Sequence, residues 1–154
     1  MNRGIVGFEQ DDAGDWIVGL SCGHRRHVRN EPPLSERPWV ESAEGRATRL
    51  GTEIDCKRCD QSLMPKSHAP YKRTPDFDVS SVPNALTGRH DTKAGVWALI
   101  HVTRGTLDYH VHAPFDRHEK LDPETPGVVL PEVEHHVAPS GDVSFYVEFW
   151  RRAE

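Results

Sequence analysis

The residues best suited to chemistry are thiols and imidazoles. Cys22-Gly23-His24 and Cys56-Lys57-Arg58-Cys59 lie in the first part of the chain. A tetrahedral zinc ion takes four thiolate or imidazole ligands, and a Cys-x-x-Cys pair closes the tight knuckle that two of those positions require. Cys22 and His24 supply the other two, with Gly23 allowing the sharp turn between them. His27 competes with His24 as the fourth ligand. Four protein ligands leave no open position, which suits a structural ion rather than a catalytic one. Two simpler readings compete. The cysteines are ordinary thiols, or Cys56 and Cys59 are a redox pair, which needs a thioredoxin-like βαβ context that the sequence lacks. Further along, His90 opens a polar turn and Glu134-His135-His136-Val137 brings more imidazoles. Brought together in a small β-barrel, these two stretches would line a metal or ligand pocket.

The elements around these residues read as short strands. Ile5-Val6-Gly7-Phe8 and Trp16-Ile17-Val18-Gly19-Leu20 flank the acidic turn 11–15 and form a hairpin that runs into Cys22. Thr52-Glu53-Ile54-Asp55 is a short strand delivering Cys56, and Glu41-Ser42-Ala43-Glu44-Gly45 reads as a turn. A unit over residues 1–64 with so few aliphatic side chains has a thin core, and domains of that size usually need a staple. Pro65-Lys66-Ser67-His68-Ala69-Pro70 reads as a linker, followed by a second unit over 71–154 with an extended lead-in at 71–77. Residues 95–103 are a β-rich apolar run that turns at Arg104-Gly105, and Leu107, Tyr109 and Val111 share one face of the next strand. Gly127-Val128-Val129-Leu130 is a short buried strand. Val133, His135 and Val137 share a face, as do Val143, Phe145, Val147 and Phe149. Short strands separated by such turns point to a jelly roll or small barrel.

Composition narrows the classes. Twelve prolines and twelve glycines in 154 residues favour turns and short strands over long helices. A formal net charge of −5 gives no basic field to draw nucleic acid. The Arg25, Arg26, Arg29 cluster could hold a phosphate, but its acidic neighbours make a solvated, locally paired face the better reading. No apolar run approaches the ~20 residues needed to cross a bilayer, and the N-terminus lacks the apolar core of a signal peptide. Three cysteines, all before Asp60, fit metal-bound thiolates in a reducing cytoplasm better than disulfides.

Two resemblances follow. Gly4-Ile5-Val6-Gly7-Phe8, Cys22-Gly23-His24-x-x-His27-Val28-Arg29, Pro32-Pro33, Arg37-Pro38-Trp39-Val40 and Cys56-x-x-Cys59 resemble a small bacterial domain family of unknown function. In the second unit, His90-x-Thr92-Lys93-x-Gly95-Val96-Trp97, Gly105-x-Leu107-x-Tyr109, His135-x-Val137 and Phe145-x-Val147-x-Phe149 resemble the TehB/YeaR-like family of small cupins. Such units occur alone or ahead of a methyltransferase in tellurite-resistance proteins. The resemblance implies a cupin (double-stranded β-helix) fold behind a zinc-ribbon-like Cys/His domain, the whole mainly β. It implies a link to tellurite or nitrosative-stress response and, with no Gly-rich nucleotide loop after a strand, no methyl transfer. The general cupin His-x-His-plus-Glu cluster is missing, so only His90 and His135 carry over as ligands of an unidentified divalent metal. His101 joins them if it points inward; Glu148 is a further carboxylate, but strand parity puts it opposite Val147 and Phe149. His110, His112 and His118 read as polar-face or loop residues and His136 as exposed.

These observations support three functions. The first is a metal- or small-ligand-binding cupin with structural zinc at Cys22, His24, Cys56 and Cys59. The second is a cupin metalloenzyme of dioxygenase or isomerase type using His90 and His135. The third is a regulatory nucleic-acid module acting through the Cys/His unit, against which the acidic charge counts. The first is preferred. The expected partner is a small molecule or anion, with no membrane or nucleic acid, and a homodimer by analogy.

Overall fold

The computed structural model describes residues 1–154, which divide into two compact units, Met1–Gln61 and Ser62–Glu154. In the first, β1 (Asn2–Gln10) and β2 (Trp16–Leu20) form the antiparallel hairpin that the apolar runs predict. Its turn is fixed by Asp11, whose Oδ1 accepts from the Ala13 and Asp15 amides at 3.0 and 2.9 Å. β3 (Arg25–His27) and β4 (Glu53–Asp55) complete a sheet in the order β3-β2-β1-β4. The stretch expected to turn at 41–45 is instead a short helix, α1 (Ala43–Ala47), capped by Ser42 Oγ on the Gly45 amide at 3.0 Å. Helix α2 (Lys57–Asp60) follows Cys56 at once. Ile5, Ile17, Val18, Leu20, Val28 and Val40 make the thin apolar core, and the three cysteines are buried with them.

The second unit begins its sheet earlier than the linker reading allows: β5 (His68–Arg73) starts inside 65–70. After α3 (Asn84–Thr87) come β6 (Trp97–Arg104), β7 (Leu107–Val111), β8 (Arg117–Leu121), β9 (Gly127–Val129), β10 (His135–Ala138) and β11 (Ser144–Arg152). They hydrogen-bond as two sheets, β10-β7-β8 and β5-β11-β6-β9. The mainly-β expectation therefore holds, but the strands form two separate ladders, not the single closed ladder of a barrel. Alternation decides which faces meet. Leu107, Tyr109, Val111 and Val137 from one sheet, and Ala98, Ile100, Val102, Phe145 and Val147 from the other, are buried. Gly105 turns the β6–β7 hairpin at φ +75°, and a Cβ there would stand 2.6 Å from the Asp142 carbonyl oxygen.

Candidate functional site

Strand β2 ends at Leu20 and delivers Cys22 and His24 on a turn where Gly23 sits at φ +94°. Strand β4 ends at Asp55 and delivers Cys56, and one turn of α2 brings Cys59 to the same point. The four ligand atoms lie within 4.8 Å of one another and all four residues are buried. His24 Nδ1 is 3.3 Å from Cys22 Sγ, 3.4 Å from Cys56 Sγ and 3.7 Å from Cys59 Sγ, and Cys22 and Cys56 sulfurs are 3.9 Å apart. A tetrahedral ion about 2.3 Å from sulfur and about 2.0 Å from nitrogen spaces S and N about 3.6 Å apart and two sulfurs about 3.8 Å apart. The donor set fits zinc in both type and spacing. His27, the competing ligand, is outside the cluster, its Nε2 2.8 Å from Asp11 Oδ2.

The cluster's electrostatics extend to a residue that motif reading passes over. The Cys22 thiol donates to Cys56 Sγ, which holds Cys22 above the ordinary thiol range and Cys56 below it. Arg3 is buried beside them and donates from Nε to Cys59 Sγ at 3.4 Å. Three thiolates around a divalent ion leave one negative charge, and the Arg3 guanidinium balances it. The arginine cluster of the same unit is locally paired: Arg25 with Glu9, Arg29 with Asp15, and Arg26 Nη1 with the Asp55 carbonyl at 2.9 Å.

The second unit holds a cavity of about 160 Å³ between its sheets. Ala98, Ile100, Val129, Val137, Phe145 and Val147 give it an apolar body, while His90, Asp91, Thr92 and His135 supply its polar edge. His90 and His135 exchange backbone hydrogen bonds of 3.1 and 2.9 Å, and their rings lie 4.1 Å apart between centroids. His90 Nδ1 donates to the Gly88 carbonyl at 2.9 Å and His135 Nδ1 to that of Val133 at 3.0 Å, so Nε2 is each neutral ring's acceptor. Burial lowers the His135 pKa to about 4, keeping that ring neutral at pH 7. His101 and Glu148 stay out of this cavity. They alternate with Ile100 and Val147 onto the other face of their sheet, where His101 Nε2 meets Glu148 Oε1 at 3.3 Å. Cys22, His24, Cys56 and Cys59 are the one group of three or more donors whose ligand atoms all lie within 4.8 Å of one another, and His90 and His135 are not part of such a group.

Comparison with known proteins follows the same division. Residues 6–63 match the family model "Protein of unknown function (DUF3565)", and residues 72–147 match the TehB-like domain. No curated protein matches the chain. Among solved structures, a protein from E. coli strain K12 is 22% identical, with a TM-score of 0.55, covering 60% of this chain and 98% of that one. TehB from Haemophilus influenzae is 23% identical, with a TM-score of 0.52, covering 56% of this chain and 32% of that one. This chain thus spans about a third of TehB. These matches correct the function read from the sequence. They are to TehB and a TehB-like domain, not to a cupin, so a stress-linked binding cupin set apart from methyltransferase activity does not stand.

Proposed function

We propose that the chain serves TehB-type methyl-transfer chemistry, its first unit clamped by zinc and its second holding a small neutral molecule that such a transfer consumes or yields. The metal reading rests on the match between the Cys22, His24, Cys56 and Cys59 spacing and tetrahedral zinc. With all four positions taken by protein, the ion supplies folding energy and no reactive position.

The binding reading rests on one observation, an apolar cavity edged by two imidazoles tethered through Nδ1. No lysine or arginine lines it, and the Asp91 carboxylate does. An anion buried there would lack a counter-charge, which costs several kcal/mol. A neutral methylated species with one weak donor avoids that cost, its donor meeting an imidazole Nε2 and its methyl group the wall of Ile100, Val129 and Phe145. The resemblance to proteins in which such a unit precedes a methyltransferase supports the choice of a methylated occupant. Methanethiol is a suitable probe and tellurite its anionic counterpart. Proton NMR of the imidazole resonances tests the reading: methanethiol shifts those of His90 and His135 and leaves that of His101 in place, while tellurite shifts none. Shifts with tellurite alone, or none with either, overturn it.

A further inference from the structure

The outer face of the sheet β10-β7-β8 carries a row of imidazoles that neither site uses. His136, His110 and His118 are directly opposite one another on three adjacent strands. His110 stacks between the other two rings, with centroid separations of 4.5 Å to His136 and 4.4 Å to His118 and interplanar angles of 3° and 13°. His112 continues the row, its ring centroid 4.9 Å from that of His136 and its Nε2 2.7 Å from His136 Nδ1. The Asp108 carboxylate closes the far end at 3.1 Å from His118 Nε2. Strand pairing sets this arrangement: even-numbered residues of β7 face out while Leu107, Tyr109 and Val111 face the core.

We propose that this row holds a surface site for a square-planar divalent transition ion, Ni(II) or Cu(II), with His112 Nε2 and His136 Nδ1 as its ligand pair and His110 stacked against His136 to fix that ring. An ion holding two nitrogens at right angles about 2.0 Å away spaces them about 2.8 Å apart, whereas a tetrahedral ion needs about 3.3 Å. The 2.7 Å separation matches the square geometry. Imidazole is a ligand these ions accept readily. The His112 and His136 rings are partly exposed, so their lone pairs can turn onto a common point, whereas His135 is buried. Asp108, at the far end of the row, pairs with His118, and Lys120 stands opposite it on β8. In the bare site His112 and His136 share one N–H···N hydrogen bond. An ion accepting both lone pairs breaks that bond, and the shared proton moves to the donor ring's other nitrogen, so both ligands stay neutral imidazoles and no oxidation state changes.

The test uses the full chain loaded with zinc and titrated with Ni(II) by calorimetry in two buffers of different ionisation enthalpy, zinc content being measured before and after. The expected result is one further equivalent of Ni(II) with zinc retained. H112Q and H136Q each lower Ni(II) affinity at least ~tenfold, since even losing an outer partner of a ligand costs about 10- to 100-fold. H110Q also weakens it, and H101Q, on the other sheet, leaves it unchanged. All four changes are to partly exposed side chains, and a thermal melt confirms the fold. Absence of a second equivalent, uptake that only replaces zinc, or wild-type affinity in both H112Q and H136Q would overturn the site.

Discussion

Two residues set the chemical tone of the protein, one by its charge and one by refusing charge. Arg3 sits beside the Cys22 cluster, its Nε on Cys59 Sγ, where it would offset the negative charge left by three thiolates on a divalent ion. Arg3→Gln removes the counter-charge, and zinc affinity measured by chelator competition is expected to fall about 10- to 100-fold while the four ligands remain. His135 does the opposite. Its folded pKa of about 4 is below the ordinary 6.5, so the unfolded chain takes up its proton first as pH drops. The stability it gives is complete above about pH 6.5 and is lost as pH falls from there to about 4, on the order of 3 kcal/mol in all. Denaturation midpoints at pH 7 and 4.5 measure this. His135→Asn keeps a donor for the Val133 carbonyl and should flatten that window. The ligand set around Cys56-x-x-Cys59 was legible in sequence because spacing alone forms a knuckle. Arg3 was not, since an arginine 56 residues from its partner carries no local pattern. The choice of His24 over His27 also needed the structure, which turns His27 toward Asp11.

At the level of elements, turns and the metal knuckle carry predictions of their own. A Gly105→Ala change meets both a positive φ and a carbonyl oxygen 2.6 Å from the new Cβ, and about 1–3 kcal/mol of stability is expected to be lost in a urea titration. In the first unit, Cys56→Ser or a strong chelator would remove the proposed zinc ion, whose binding is worth on the order of 10 kcal/mol to such a module. Amide exchange should then rise through β1, β2 and β4, while β6, β7 and β11 keep their protection. Strands with strict alternation, such as β7 and β11, could be read from the sequence because one face is buried. β3 and β8 could not, because Arg25-Arg26-His27 is exposed throughout and Arg117-His118-Glu119-Lys120 is polar along its length. The helices escaped notice for a different reason. Each is only four or five residues long, too short for a 3.6-residue period to show.

Across the whole molecule, stability comes from different sources in the two units. The first has a thin apolar core and, on the proposed reading, leans on a zinc clamp. The second leans on interlocked side chains such as Trp97, Tyr109 and Phe145, all essentially sealed from solvent. Phe145→Ala should cost about 3–5 kcal/mol by thermal or chemical unfolding, and should enlarge the cavity it lines. The larger sheet of the second unit also has a temporal consequence. β11 pairs with β5 on one side and β6 on the other, joining residues some 80 and 50 positions apart. On the ribosome, β5 and β6 must wait, unsatisfied along their inner edges, until residues 144–152 emerge. The final strand is therefore the keystone of synthesis, and a stall before it leaves two sticky ribbons with nothing between them.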